Sequence, residues 1–241
     1  MRHDRDEWLV LQDVVASRGR KTIFSSISVV CAERRIGLIG RNGAGKSTLL
    51  RLLNGLLPAQ SGSIAMAGVD VRANVTLAMR HVGFVFQNPD HQIVFPTVLE
   101  EMTFGFRTRG CSKVESEMRA VACLERYGCG DWVRASVEEL SEGQRQKLCI
   151  LAVIALEPSI IALDEPFASL DLPTRLELNA LLVSLPQRVI VASHDLDLLR
   201  SMDRVIWLGE GRIIKDGNPD EVIGVYEEHC RTLAMMGSIK T

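Results

Sequence analysis

Apolar and polar positions alternate at the start of the chain. LVLQDVV (9–15), SSISVVCA (25–32) and RIGLIG (35–40) read as strands, and a helix is expected over about 46–54. SGSIAMAG (61–68) reads as a short strand between glycines, and HVGFVF (81–86) as a strand that ends at the polar loop QNPDHQ (87–92). From about 97 to 156 the period becomes helical, in TVLEEMTFGF, KVESEMRAVACLERYG and EGQRQKLCILAVIALE. IIALDE (160–165) is continuously apolar up to its two acids, as a central parallel strand covered on both faces would be. PTRLELNALLVSL is a helix with proline near its first turn, RVIVAS (188–193) a further strand, and RVIWLGEGRIIKDG (204–217) two strands about a glycine turn. From 218 the pattern begins helical and ends weakly ordered. Strands alternating with helices predict an α/β architecture, with the helical block inserted into the sheet order.

Composition narrows the picture. The 241 residues suffice for one large domain or two modest ones, and 46% apolar content can bury a sizeable core. A net charge of −2 gives no basic surplus for nucleic acid. The longest apolar run, LCILAVIAL (148–156), is far short of the roughly 18–20 residues of a membrane-spanning helix. The start, MRHDRDEW, carries no apolar signal-peptide core, so membrane work is expected to come through partners. The six cysteines form no CxxC pair and read as reduced core thiols of a cytosolic protein.

GRNGAGKST (40–48) lies between the strand RIGLIG and the helix TLLRLLNGL, the context that makes G-x-x-x-x-G-K-[ST] a phosphate loop. Gly40, Gly43 and Gly45, with Asn42 and Ala44 between them, let backbone N–H groups turn inward around phosphate oxygens. The following helix N-terminus adds partial positive charge, Lys46 a point charge, and Ser47 and Thr48 hydroxyls, with Ser47 placed for Mg²⁺. Asp164 and Glu165 end the strand IIALDE. Given the upstream loop, Asp164 suits the water shell of Mg²⁺ and Glu165 suits a general base for attacking water. LSEGQRQK (140–147) opens the most apolar helix. Ser141 and Gln144 fit a capping box, yet Gly143 in a first turn weakens a helix, and a bare N-terminus there is a second anion site. One chain needs one γ-phosphate cradle, so a second suggests service to a neighbour's nucleotide.

The set GRNGAGKS, Gln87, LSEGQ, IIALDEP, ASLD and His194 resembles the ATPase cassette of ABC transporters, over about residues 8–225. The resemblance implies a P-loop NTPase fold: a nucleotide-binding core with an antiparallel β subdomain (about 1–86 and 157–217), an inserted helical subdomain (about 97–156) and a C-terminal tail (218–241). It implies a head-to-tail homodimer with two ATP at the interface, each with Mg²⁺. Ser141, Gly143 and Gln144 would then meet the γ-phosphate held by the other subunit. Asp171 would communicate across the interface, and His194 would contact the γ-phosphate and position Glu165 and water. Glu142 departs from the family's usual LSGGQ, with its side chain expected to point away from phosphate. Arg18 stands where an adenine-stacking tyrosine is common. Its guanidinium can stack on the base or turn to solvent, and weaker adenine selectivity is expected.

QNPDHQIVFPTVLEEMTFG further resembles the pattern of energy-coupling-factor importers, in Asn88, Pro89, Asp90 and Gln92. Such ATPases dock on a transmembrane scaffold beside a small membrane substrate-capture subunit, at the cytoplasmic face of a prokaryotic membrane. Gln87 would contact Mg²⁺ and water, and the residues after it would face the scaffold. The short chain is most like the ATPase of dedicated biotin transporters, with cobalt or nickel import the nearest competitor and another ABC transporter type also open. A chromosome-type P-loop ATPase would place a coiled coil between the nucleotide motifs, but Lys46 and Asp164 are only 118 positions apart with no heptad run between them. A translation-type ATPase would carry two cassettes in tandem. His91 has no assigned role, and no second ligand at suitable spacing makes it a metal site.

Overall fold

The computed structural model describes residues 7–168 and 170–238. Residues 1–6, Ser169 of the ASLD stretch and residues 239–241 lie outside them. The chain begins with β1 (Leu9–Arg18), β2 (Lys21–Cys31), β3 (Arg35–Ile39), α1 (Lys46–Leu53), β4 (Ser61–Met66), β5 (Val69–Asp70), α2 (Val75–His81) and β6 (Val82–Val85). The helical block is α3 (Val98–Thr108), α4 (Lys113–Arg126) and α5 (Glu142–Ile154). Then come β7 (Ile160–Asp164), α6 (Leu172–Ser184), β8 (Arg188–Ala192), α7 (Leu196–Arg200), β9 (Arg204–Gly209), β10 (Arg212–Gly217) and α8 (Pro219–Ser238).

Among the described residues the strands form two sheets. One is antiparallel, in the order β2-β1-β4-β5; the other runs β10-β9-β3-β8-β7-β6 and is parallel except for β10. The strand period of two sorts the larger sheet's side chains to its two faces. Ile160, Ala162, Ile190 and Leu38 join a core with α1 and the antiparallel sheet. Ile161, Leu163, Val189 and Val191 join a second core with the helical block, α6 and α8. Every residue of β7 is buried, which explains its unbroken apolar run.

Three elements lie beyond the sequence pattern. α2 buries only Ala78, so it has almost no apolar stripe; Asn74 caps it by accepting from the Leu77 N–H at 3.0 Å. β5 has two residues and α7 five, too short for a period to show. The C-terminal stretch differs from its weakly patterned reading, for α8 runs as one helix to Ser238. Tertiary contact holds it: Trp207 of β9 meets the Tyr226 ring at 5.3 Å and the His229 ring at 5.1 Å. The cysteines are free, but only Cys31, Cys129 and Cys149 are buried, while Cys111, Cys123 and Cys230 are half-buried. Burial pushes Cys31 up to about 12 and Cys123 up to about 11, so neither is a ready thiolate.

Candidate active site

Four parallel strands end at one edge of the sheet, and each hands a polar segment to the same place. Pairing of Leu38 and Asp164 with Ala192, and of Val85 with Leu163, sets their carboxyl ends level. Residues 40–45 follow β3, Gln87 follows β6, Asp164 and Glu165 end β7, and His194 follows β8. Crevices at the carboxyl ends of parallel strands are where α/β sheets bind ligands. Here these segments border a cleft of about 840 Å³, with Gly40 and Asp164 outside its lining and joined to it through Lys46 and Ser47.

The loop is shaped by its glycines. Gly45 has φ +104°, a left-handed conformation, and a Cβ there would stand 2.6 Å from the Phe24 ring. Gly45 is also the N-cap of α1, whose first turn has no side-chain cap and no acid, leaving its N–H groups turned to the cleft. Lys46 is only 6% exposed. Its Nζ donates to Gly40 O at 2.8 Å and lies 3.4 Å from Glu165 Oε1. Burial pulls this ammonium below the ordinary lysine range, while Glu165 pulls the other way. Ser47 Oγ donates to Asp164 Oδ1 at 2.8 Å. The hydroxyl and the carboxylate are thus adjacent oxygen donors, the type a hard divalent cation takes alongside phosphate oxygens and water. Among the described residues no cluster of three or more His, Cys, Asp or Glu forms a separate cage. Two adjacent oxygen donors of this kind fit a Mg²⁺ that completes its shell with other oxygens.

Glu165 is held in an unusual way. Its φ is +48°, a strained value for a residue with a side chain. Oε2 accepts from the His194 N–H at 3.1 Å. Oε1 is buried and makes no hydrogen bond of good geometry, although it lies within ion-pair distance of Lys46 and 3.2 Å from His194 Nε2. Glu165 Oε1 is thus paired in charge with the Lys46 ammonium, while Oε2 is fixed by the His194 backbone. His194 Nε2 also lies 3.0 Å from Lys46 Nζ and 3.0 Å from Asn42 Oδ1. That nitrogen has either a lone pair or a proton, so it serves the ammonium or the oxygens, not both.

Lys46, Ser47, Asn42, Gly43, Ala44, Gly45, Thr48, Gln87, Glu165, His194 and Arg18 all line the cleft. Ser141, Gly143, Gln144 and Asp171 do not. Ser141 and Gln144 are exposed elsewhere on the molecule, and the N-terminus of α5 is not bare. Ser141 N–H donates to Gln144 Oε1 at 2.8 Å and Gln144 N–H to Ser141 Oγ at 3.3 Å, so the capping box forms. Gly143 is required by close packing, because a Cβ would stand 2.6 Å from Thr174 Cγ2 of α6. Asp171 caps α6 by accepting from the Thr174 N–H at 3.0 Å, and hydrogen bonding by Thr174 holds this exposed carboxyl below its ordinary value.

The loop 87–92 corrects one expectation. Pro89 is buried, and Gln92 faces inward rather than outward. Gln92 Oε1 accepts from the Phe86 N–H and its Nε2 donates to Cys149 O of α5, both at 3.1 Å. Asn88, Asp90 and His91 remain exposed, with Asp90 3.7 Å from Arg145 of α5. Gln87 is thus joined to the same helix that presents Ser141. Arg41 and Arg175 also line the cleft. Arg41 sits inside a motif at a position the motif leaves open, and α6 brings Arg175 in from elsewhere, so neither had a sequence signal.

A family model for the ABC transporter ATP-binding region matches residues 26–168, which hold the phosphate loop, the helical block and the acidic pair. The chain belongs to the ABC transporter ATPase family. The cassette is 44% identical to the biotin transport ATP-binding protein BioM of Rhodobacter capsulatus over 93% of this chain and 96% of that protein. It superposes with TM-score 0.82 and 29% identity on cbiO1 of Clostridium perfringens, part of the ABC transporter complex cbiONQ, covering 97% of both chains. It also matches the ATP-binding cassette MJ0796, solved as a dimer in a post-hydrolysis state bound to ADP and Pi, with TM-score 0.76 and 27% identity over 88% of this chain and 98% of that one. The cassette is an ATP-binding, ATP-hydrolysing subunit of a transporter. No described helix is long and apolar enough to cross a membrane.

Proposed function

We propose that this ATPase powers an energy-coupling-factor importer for biotin, acting as a homodimer docked on a membrane scaffold beside a small substrate-capture subunit. The observation that carries this reading is the 44% identity to a biotin transport ATPase along nearly the full length of both chains. QNPDHQ supports it from within the sequence. Residues 1–86 and 157–217 act as the nucleotide-binding unit, 97–156 as a helical unit that carries Ser141, and 218–241 as its C-terminal segment.

Lys46 and the N–H groups of residues 40–48 hold the nucleotide phosphates, and Arg18 lies at the adenine end of the cleft. Ser47, Asp164 and Gln87 hold Mg²⁺, which neutralises phosphate charge when bound. Glu165 takes a proton from water once the nucleotide phosphates draw Lys46 away from its Oε1, and His194 fixes Glu165 through its backbone N–H and faces the terminal phosphate. Lys46 regains a full counter-charge when phosphates arrive, which turns its burial from a cost into differential binding. Ser141, Gly143 and Gln144 lie outside this cleft, so they act on the nucleotide of a second copy, with Asp171 at the same interface. Closure on two ATP and reopening after hydrolysis would move the α5 end of each subunit. The loop 87–92 passes that motion to the scaffold through Asn88, Asp90 and His91. The cassette would then lie peripherally on the cytoplasmic membrane face.

Affinity purification of the tagged chain from its native cell should recover a membrane scaffold protein, and biotin uptake should stop in a Lys46→Ala strain. Recovery with no membrane partner, or unchanged biotin uptake, would end this reading. Cobalt or nickel import is the second reading, favoured by the superposition on cbiO1, and loss of metal-ion uptake instead of biotin uptake would select it.

A further inference from the structure

No motif points to Arg175, yet it borders the same cleft as the phosphate loop. It lies one turn into α6, where its N–H donates to Asp171 O at 3.0 Å. Its Nη1 donates to Asp195 Oδ2 at 3.3 Å. Asp195 divides its carboxylate, for Oδ1 accepts from the N–H groups of Asp197 at 3.0 Å and Leu198 at 3.2 Å, capping α7. Asp195 directly follows His194, whose N–H donates to Glu165 Oε2 at 3.1 Å. Two polar contacts, joined through the peptide bond between His194 and Asp195, therefore link the start of α6, beside Asp171, to Glu165.

We infer that Arg175 is a positioning residue of the hydrolytic site. Through Asp195 it sets where the His194 segment stands against Glu165, and it makes hydrolysis respond to the position of the Asp171 end of α6. The inference rests on the roles proposed above for Glu165 and His194.

The contact has features that a purely stabilising pair lacks. A guanidinium used for stability presents its fork to a carboxylate at about 2.7–2.9 Å. Here a single Nη1 reaches one oxygen at 3.3 Å, and Nε is buried without a partner. The pair is half made: one guanidinium nitrogen meets one oxygen of a carboxylate whose other oxygen is committed to α7, and Nε is left over. A small shift of α6 changes this contact before it changes the packing of Leu178 and Leu182, which anchor the helix deeper in the core. The pair therefore suits a part that transmits position.

The test is steady-state ATP hydrolysis by the full-length chain, with four variants: Arg175→Met, Arg175→Lys, Asp195→Asn and the Arg175→Met/Asp195→Asn double. Asparagine keeps the Oδ1 that caps α7 and puts an NH₂ in place of the oxygen facing Arg175, which removes both the charge and the acceptor of this contact. Arg175→Met and Asp195→Asn should each lower kcat about 10-fold while the KM for ATP moves less than about 2-fold. The double variant should be no slower than either single, because both cut the same link. Arg175→Lys should recover part of the loss. Wild-type kcat in Arg175→Met, losses that multiply in the double variant, or a KM and melting temperature that fall in step with kcat would each overturn the inference. Glu165→Gln run beside them separates the two readings: if it hydrolyses ATP at the wild-type rate, the base assignment fails whatever Arg175 does.

Discussion

Lys46 and Glu165 show how single side chains are set by their surroundings rather than by their type. Burial disfavours the Lys46 charge, and Glu165 at 3.4 Å restores part of it. Removing either end of this pair has a different consequence. Lys46→Ala should weaken nucleotide binding and abolish turnover, as read by fluorescent nucleotide titration and phosphate release. Glu165→Gln should bind ATP normally, slow hydrolysis by about 10²-fold or more, and accumulate an ATP-bound dimer in size-exclusion chromatography. The sequence made both residues legible, because they sit in short motifs whose spacing brings the chemistry with it. It gave no sign that Glu165 has a left-handed backbone or that its Oε1 stays free of hydrogen bonds. Those properties come from β8, which supplies the His194 N–H and the Ala192 carbonyl that holds the Glu165 N–H at 2.8 Å.

At the scale of elements, α5 is the member through which distant parts meet. Its start carries the capping box, its second residue packs on α6, and its inner face receives Gln92. Gly143→Ala should force Thr174 to move and destabilise the chain by about 1–3 kcal/mol in urea titration. A milder loss would mean that α5 and α6 slide apart easily. Gln92→Leu leaves the Phe86 N–H without its partner and removes the second bond to the Cys149 carbonyl. It should cost about 1–3 kcal/mol in the same titration and raise hydrogen exchange across 86–93. The outward-facing reading of the residues after Gln87 rests on their resemblance to energy-coupling-factor importers, not on their polarity. Gln92 instead satisfies the Phe86 N–H just past the end of β6 and adds a bond to the Cys149 carbonyl of α5, a link that becomes visible only once β6 and α5 are side by side. The capping box, by contrast, was legible in Ser141 and Gln144, since its partners lie three residues apart.

At the scale of the whole molecule, the two sheets are fastened by Arg204. Its Nε and Nη2 grip Asp216 at 2.7 and 2.6 Å, and its Nη1 reaches Glu33 at 2.9 Å and Val30 O at 3.0 Å. Burial alone would raise the Glu33 carboxyl, but backbone hydrogen bonds and Arg204 outweigh it and hold the group below its ordinary value. A carboxyl depressed in the folded state stabilises above its unfolded pKa and loses that contribution as pH falls through the folded one. Arg204→Met should therefore lower stability by roughly 2–3 kcal/mol at neutral pH, and the gap from wild type should narrow as pH drops below the ordinary glutamate range. A gap constant from pH 7 to pH 3 would remove Glu33 from this account.

What the sequence by itself determined was local: the alternation that builds β1, the apolar runs that build β3, β7 and β8, the glycine loop that feeds α1, and the acids that close β7. Each depends on contacts within a few residues, so period and motif suffice. Tertiary structure alone decided the assembly of Gly40, Gln87, Asp164 and His194 at one edge, because strand order is set by which faces bury together. It also decided the full length of α8, which depends on Trp207, and the approach of Arg175 to Asp195, which depends on how α6 packs. It left Ser141 and Asp171 outside the cleft, since a rigid chain cannot fold its own α5 start onto its phosphate loop. Under the proposed function, that separation is why Ser141 and Asp171 would act at the nucleotide of a second copy.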